Sequence, residues 1–216
     1  MDTAELEGLI KSRRSIRRWQ ERAVPEETLL KAIETATWAA NGGNQQNWRF
    51  YVITRKETIK AIADSVQRSA DLIAGWPEAA KFGTMPAGWR ERSSFFRTAP
   101  AAIAVAAAHY QSFVDQLMAM REKTDPAAAE MRRWRNIADS RIQSVASAIA
   151  TLLLVLHQMG LGSLWMTGPM QAKGAIERIL GVPDNLDLVA FIPVGYPDER
   201  PTSQRKPVTE VTEIIR

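Results

Sequence analysis

The chain has 216 residues, 45% of them hydrophobic and 24% charged, with 12 glycines and 11 prolines. These values allow one sizeable core and exclude collagen-like, mucin-like and disordered classes, so we predict a single domain over residues 1–216. The sequence has no cysteine and only two histidines, which excludes disulfide scaffolds and disfavours metal centres and Ser-His triads. Any redox chemistry must therefore come from a bound molecule, and no metal site is expected.

The basic residues are in small excess but are clustered. The net charge is +4, from 28 basic and 24 acidic residues. One group of arginines suggests an anionic ligand and a second predicts a solvent-exposed helix face; they are Arg13, Arg14, Arg17 and Arg18, and then Arg132, Arg133 and Arg135. The N-terminus lacks the basic-then-apolar order of a secretory signal and no apolar run reaches the length of a membrane span. We therefore expect a cytoplasmic protein without membrane contact.

The first half of the chain predicts three helices and a strand. Asp2 and Glu5 form a capping box for a short helix that ends near the arginine run. A second helix runs from Pro25 to about Trp38, and the turn Asn41-Gly42-Gly43-Asn44 follows it. A strand over Trp48 to Thr54 comes next, and then a helix over roughly Lys56 to Ala74, with Thr54 and Glu57 as its capping box.

The segment 75–135 is the most variable in pattern, and we predict that it is a lid or insertion. Its first part, 75–97, reads as an irregular loop that either binds a ligand or is simply exposed. A buried strand over Pro100 to Ala107 and one or two surface helices over Gln111 to Arg135, broken at Pro126, follow.

The last third of the chain predicts a long central helix from Asn136 to Met159, whose small residues could pack against a symmetry mate. His157 in it is expected to be a satisfied core or helix-end residue and not a catalyst. A helix over Lys173 to Leu180, a strand over Leu188 to Val194 and an extended tail complete the chain. Helices and strands that do not alternate strictly indicate an α+β fold.

Six ordered blocks resemble the FMN-dependent nitroreductase family. They are RRSIRRW, PEETLLKAIETATWA, NGGNQQNWRFYVIT, GLGSLWMTGP, ILGVPDNLDLVAFIPVGYP and QRKP, and they span nearly the whole chain. The resemblance implies a nitroreductase-like fold, with a central, mostly antiparallel sheet flanked by helices in an intertwined homodimer. It also implies bound FMN at the dimer interface and NAD(P)H as co-substrate.

The resemblance implies the cofactor-binding residues position by position. Arg13, Arg14, Ser15 and Arg17 match the segment that holds the FMN phosphate and reaches the pyrimidine side, and Arg205 matches the basic residue that closes on the same phosphate. A turn matches the segment that approaches flavin from the other subunit, through Ala40, Asn41, Gly42, Asn44 and Gln46. Asn47 stands there in place of the usual proline. Thr167 and Gly168 match the segment whose backbone N–H faces flavin N5, so no catalytic side chain is required.

The implied reaction is a ping-pong hydride transfer from NAD(P)H through FMN to a small electron acceptor such as a nitroaromatic or a quinone. Aromatic residues that could stack on such an acceptor are Trp76, Trp89 and Phe95 or Phe96, whereas Phe50 and Tyr51 are expected in the core. A specialised member that consumes flavin, dehalogenates or oxidises a heterocycle is an alternative. A nucleic-acid-binding protein is disfavoured by the mild charge and the lack of a recognised motif.

Overall fold

The computed structural model describes residues 2–216 and contains a four-stranded sheet in the order β1-β2-β4-β3. Every neighbouring pair of these strands is antiparallel, as the sequence predicts. The strands are β1 (Trp48–Ile53), β2 (Ala101–Ala108), β3 (Gly162–Ser163) and β4 (Leu186–Gly195). β2 lies between β1 and β4 and is buried at seven of its eight positions, so it forms the centre of the fold.

Eight α-helices surround the sheet in the part of the chain that is described. They are α1 (Thr3–Ser12), α2 (Glu26–Ala36), α3 (Lys56–Ala74), α4 (Met85–Arg92), α5 (Phe113–Arg121), α6 (Pro126–Ala138), α7 (Ser140–Gln158) and α8 (Lys173–Leu180). α2 and α7 form one apolar cluster with Ile103, Val105 and Ile192 of the sheet. α3 and α8 form a second cluster with Phe96, Ala104 and Phe191. The helices therefore cover both sides of the sheet, in an α+β arrangement.

The long helix α7 passes beneath the sheet and supplies seven buried residues, among them Ile149, Leu152 and Leu156. By length and composition alone the stretch Pro126–Gln158 could span a membrane. Its backbone breaks at Asp139, which has a φ of 34°, and α7 packs against the sheet as a core helix. The predicted single helix from Asn136 is therefore wrong, because the left-handed Asp139 ends α6 and its side chain caps Ile142 N of α7.

Two glycines allow the two ends of the chain to meet beside the sheet. Gly162 has no room for a side chain, since a Cβ there would lie 2.7 Å from Cγ1 of Ile16. Gly195 is equally restricted, because its Cβ would lie 2.5 Å from Cγ of Pro100. The segment after α1 therefore runs close to the ends of β3 and β4, and Ile16 N donates to Ser163 O at 3.1 Å.

Three further expectations differ from the structure. The segment expected to be irregular contains α4 and two 3-10 helices, Pro77–Phe82 and Phe95–Thr98. The capping box at Thr54 is absent, since α3 begins after Arg55 without a side-chain cap. The second arginine cluster is not merely solvated: Arg132 pairs with Glu122 and Arg135 with Asp115, so that α6 is tied to α5.

Candidate functional site

The arginines from the two ends of the chain line a common pair of cavities. A cavity of about 260 Å³ lies between the segment after α1 and the C-terminal tail, and a larger one of about 630 Å³ adjoins it. Both are lined by Arg13, Arg14, Ser203 and Arg205, and the smaller one also by Ser15 and Arg17. Five residues that the resemblance assigns to FMN thus surround one space, although 187 residues separate Arg17 from Arg205 by number.

Glu199 fastens the tail to the arginine segment. Its Oε1 accepts from the backbone N–H groups of Arg17 and Arg18, the latter at 3.2 Å, and its Oε2 lies 3.4 Å from Arg18 Nε. Asp198 N also donates to Arg18 O at 3.0 Å. Glu199 binds only the backbone of Arg17, so the guanidinium of that residue, whose Nη1 donates to Ser15 O at 3.4 Å, lines the cavity without pairing with Glu199.

The electrostatics of the cluster favour an anion. Burial and the neighbouring charges of Arg205 and Arg14 lower the pKa of Arg13. Within residues 2–216, no carboxylate forms an ion pair with Arg13, Arg14 or Arg205. Nε of Arg14 is buried and has no hydrogen-bond partner. Converging guanidinium groups with an unpaired donor are well suited to a phosphate, which accepts several charge-assisted hydrogen bonds.

The larger cavity combines this cationic rim with an apolar wall. Ile10 of α1, Ala150, Leu153 and Leu154 of α7, and Trp165 after β3 supply that wall. Trp165 is 36% exposed and Ile10 51% exposed, so both present apolar surface to the cavity. A cationic rim beside an apolar surface matches a ligand that carries both a phosphate and a flat ring system.

The turn 40–47 lies elsewhere on α7 and is held by its own side chains. Asn41 Oδ1 accepts from Gln46 N at 2.9 Å, its Nδ2 donates to Ala39 O, and Gly42 N donates to Ser144 Oγ of α7 at 3.2 Å. The backbone is left-handed at Gly43, Asn44 and Gln46, with φ values of 59°, 52° and 47°. The predicted tight turn is therefore present, and its conformation is uncommon for the non-glycine residues.

The turn and the arginine cavities do not meet within one protomer. Ser144 contacts the turn, and the first residue of α7 that lines an arginine cavity is Ala150, six positions further on and about 9 Å along the helix axis. Ala40 and Gly42 are exposed, as are Asn44 and Gln46. Part of the site that the resemblance implies is thus presented to solvent at some distance from the rest.

Thr167 and Gly168 are exposed at the start of the 3-10 helix Gly168–Ala172. The segment before them is fixed to the sheet by two hydrogen bonds between Met166 and Phe191, each 3.0 Å long. Neither Thr167 nor Gly168 lines the arginine cavities, but Trp165 does.

The aromatic residues predicted to stack on an acceptor fall into two groups. Phe96 is fully buried against Phe191, with ring centroids 4.9 Å apart, so its predicted role is wrong. Phe95 stacks on Trp19 at 6.2 Å and belongs to the core. Trp76 and Trp89 are exposed, and their predicted role stays a prediction. Phe50 and Tyr51 pack against the two core clusters, as expected.

A second polar region, next to the turn, was not predicted from the sequence. Asp187 of β4 accepts from Arg141 at 2.7 Å, and it lies 2.8 Å from His109 and 3.1 Å from Lys173. The hydrogen bond from Arg141 and the charge of Lys173 lower the pKa of Asp187 to about 2, against the effect of burial. Arg141 in turn accepts a hydrogen bond from Asn47 through its carbonyl oxygen. The only feature of the sequence that pointed to this region was Asn47, which stands where the family usually has a proline.

His157 lies at the opposite end of α7, beside the arginine segment. Its Nε2 is 2.9 Å from Oγ of Ser12, the last residue of α1. Burial and the charges of Arg13 and Arg14 lower the pKa of His157. His157 is thus a hydrogen-bonded helix-end residue, as expected. Its pKa also depends on the charges of the arginine cluster.

Comparison with known proteins agrees with this geometry. The chain is 27% identical over 202 residues to the iodotyrosine deiodinase of Thermotoga neapolitana, covering 90% of this chain and 89% of that protein. It is 26% identical over 202 residues to a 4-nitrobenzoate reductase of a Nocardioides species, covering 89% and 80% respectively. Among solved structures it resembles a BluB-like flavoprotein of Clostridium difficile 630, with a TM-score of 0.85, 27% identity and complete coverage of both chains.

The sequence model of the nitroreductase family matches residues 10–196, which include the end of α1, the whole sheet and helices α2 to α8. The arginine segment, the glycine turn and the strands that bring them into place all fall within that match. The chain therefore belongs to the nitroreductase family.

Proposed function

We propose that this FMN-dependent NAD(P)H oxidoreductase of the nitroreductase family reduces nitroaromatic, quinone or related conjugated acceptors at a site shared by two protomers. FMN, when bound, would supply the hydride-transfer chemistry between NAD(P)H and the acceptor. The protein itself supplies binding, orientation and electrostatics. The observation that carries the proposal is the convergence of unpaired arginines from both ends of the chain beside an apolar wall.

Arg13, Arg14 and Arg205 would hold the phosphate of FMN. Three unpaired cations offset the charge of a phosphate dianion, and the buried Nε of Arg14 gains the partner that it lacks. Ser15 adds a hydroxyl donor at the rim. Arg17 would act nearer the ring, where a positive charge favours the reduced, anionic form of flavin.

The apolar wall of the larger cavity would take the ring system. Trp165 and Leu154 exclude water from one side, and the backbone at Thr167 and Gly168 would present an N–H to flavin N5. A backbone donor needs no particular side chain, which agrees with the absence of a histidine or cysteine at these positions.

A second copy of the chain would complete the site. Ser147, Ala150, Thr151 and Leu154 form one face of α7 that is not fully buried. If two α7 helices cross antiparallel about a twofold axis near this face, the turn 40–47 of each protomer approaches the arginine cavity of the other. The separation of about 9 Å along α7 within one protomer is then a requirement of the dimeric site.

Reductive dehalogenation is a second candidate, because the chain is as similar to an iodotyrosine deiodinase as to a nitroaromatic reductase. Both activities need the same reduced flavin and differ in the acceptor. The structure of the turn and of the arginine cavities suits either reaction.

Purified protein tests the proposal directly. We expect yellow protein with one FMN per chain, bleached anaerobically by NADH or NADPH and reoxidised by an acceptor. Single-turnover reoxidation by 4-nitrobenzoate, benzoquinone and 3-iodotyrosine ranks the acceptor classes, and iodide release identifies dehalogenation. Colourless protein that binds no FMN on titration would contradict the proposal.

A further inference from the structure

We propose that a small polar cavity beside the turn 40–47 is a recognition subsite for the hydroxyl group of a single-ring phenol, with Asn47 as the acceptor that selects it. The inference rests on the proposed function, because it takes the turn as the wall that one protomer presents to the flavin of the other. It goes further by naming a substrate class and a specificity-determining residue.

Asn47 has an unsatisfied acceptor at this position. Its side chain is 8% exposed, and its Nδ2 donates to Arg141 O at 3.2 Å, which fixes the orientation of the amide. Oδ1 is buried and has no partner among residues 2–216. A buried carbonyl oxygen without a donor costs about 1–3 kcal/mol, so a donor that enters beside it is favoured.

The cavity next to Asn47 has a volume of about 190 Å³ and a polar lining of Gln45, Tyr110, three serines and Arg141. Arg141 is the one charged residue of that lining. Its Nη1 is occupied by Asp187, and the other N–H groups of the guanidinium can donate to a ligand oxygen. A phenol suits both neighbours, because its hydroxyl donates to Asn47 and accepts from Arg141.

Size and position indicate a single aromatic ring. A space of about 190 Å³ is sufficient for one substituted aromatic ring. Gly42 and Gly43 form part of the wall, so the ring would lie against the same turn that faces the flavin. Tyr110 lines this cavity and the two larger ones beside it, of about 720 and 610 Å³, so a ring substituent can extend into either.

The charge of the region favours a neutral or weakly acidic group over a carboxylate. Arg141 is paired with Asp187, Arg135 with Asp115, and Arg132 with Glu122, so that the arginines near the cavity are already neutralised. A carboxylate would have to compete with these partners. A hydroxyl requires only the unpaired acceptor of Asn47 and one additional donor.

Calorimetric titration of the FMN-loaded protein with p-cresol and with 4-methylanisole tests the subsite, since in the second ligand a methyl group replaces the hydroxyl hydrogen and neither ligand is reduced. We expect the phenol to bind about tenfold more tightly to the parent protein. The preference should disappear in Asn47→Leu and persist in Asn47→Asp, which keeps an acceptor oxygen. Asn185→Leu, at the edge of the neighbouring cavity, serves as the matched control and should retain the preference.

Equal binding of the two ligands to the parent would overturn the inference, and so would a preference that survives in Asn47→Leu. Either result would mean that Oδ1 binds a water molecule only. Thermal unfolding of each variant shows whether it is folded, and the comparison of the two ligands on the parent protein still tests the inference if Asn47→Leu is not. The titration does not depend on turnover: if the protein cannot be loaded with FMN, the proposed function fails, whereas the comparison of the two ligands still tests the cavity.

Discussion

A Cβ on Gly162 would lie 2.7 Å from Cγ1 of Ile16, within the contact that brings the arginine segment to the end of the sheet. Ile16 is 7% exposed and belongs to the core cluster of α3 and α8, so it cannot move aside freely. We therefore predict that Gly162→Ala lowers the free energy of unfolding by about 2 kcal/mol, the usual cost of an extra methyl group in a packed core. FMN affinity should fall as well, since Arg13 to Arg17 shift with Ile16.

Gly8→Ala is the matched control for this substitution. Gly8 lies inside α1, and a Cβ there would meet nothing within 4 Å. Urea denaturation should show that Gly8→Ala raises the free energy of unfolding by about 0.5–1 kcal/mol, because alanine is the better helix former. Equal stability of Gly162→Ala and the parent would contradict the role of the close approach.

Arg205→Ala should separate FMN binding from stability. Loss of one charge-assisted hydrogen bond to phosphate weakens FMN affinity by about 1.5–3 kcal/mol, or roughly 10- to 150-fold. The flavin-free protein should be as stable as the parent or slightly more so, because Arg205 lowers the pKa of Arg13 by repulsion. Fluorescence titration with FMN and urea denaturation measure the two quantities.

Arg13→Ala should weaken FMN binding by a similar factor. Arg133→Ala is the control, because Arg133 is exposed on α6 and pairs only loosely with Glu130, at 3.7 Å. The affinities of the parent and of the control should also decrease at high salt, whereas those of the two cavity variants should depend on salt less steeply. Unchanged flavin occupancy in both cavity variants would contradict the phosphate assignment.

The stability of the flavin-free protein should depend on the protonation of His157. Its folded-state pKa lies below the ordinary value of 6.5, because burial and then Arg13 and Arg14 disfavour the cation. The unfolded state therefore binds the proton more readily, and the stabilisation that is present above pH 6.5 is lost as the pH falls towards the folded-state pKa. His157→Gln should flatten this part of the profile.

Bound FMN should change that profile in a defined direction. A phosphate dianion on Arg13 and Arg14 offsets their charge, so the pKa of His157 rises towards its ordinary value and the acid loss of stability decreases. Chemical denaturation between pH 5 and 8, with and without FMN, checks both effects. A parent profile identical to that of His157→Gln would exclude the coupling.

Asp187 should also make stability depend on pH, but here the charged carboxylate is the form that the folded state favours. Its pKa falls from 3.8 unfolded to about 2 folded, so its stabilisation is complete above pH 3.8 and is lost as the pH falls towards 2. The shift corresponds to at most about 2 kcal/mol, and solvent screening of the part-exposed carboxylate reduces this to about 1 kcal/mol. Asp187→Asn should lose about this amount at pH 7 and little at pH 2.5, as measured by urea denaturation.

Sequence patterns predicted a helix end correctly where all the residues that determine it lie within one turn. The capping box of Asp2 and Glu5 was predicted and is present, because all its groups lie within one turn. The start of α7 was misplaced, since small residues continue through Asp139 and only its left-handed backbone marks the break. Thr54 was a plausible cap by composition, but α3 begins at Lys56 with Arg55 as its N-cap residue, so Thr54 lies one position too early.

The candidate site depended on contacts far apart in the sequence. The approach of Arg205 to Arg13 follows from pairing of the chain ends, as between Gln20 N and Tyr196 O, and no periodicity reveals that pairing. The approach of Arg205 to Arg13 was expected only because the ordered motifs resemble those of the nitroreductase family. The unpaired oxygen of Asn47 was beyond prediction for the same reason, since its burial depends on the neighbouring Arg141 of α7.

Assembly provides the remaining test of the shared site. Ser147 is half-buried and Ala150 exposed on the face of α7 that we assign to the dimer, so a long charged side chain would meet its own copy across the twofold axis. Ser147→Arg should therefore yield a monomer of about 24.1 kDa by light scattering, with little FMN bound. Ala61→Arg, on the exposed side of α3, is the control and should keep the mass and flavin content of the parent. A Ser147→Arg protein that is dimeric and fully loaded with FMN would show that α7 does not bring the turn of one protomer to the arginines of the other.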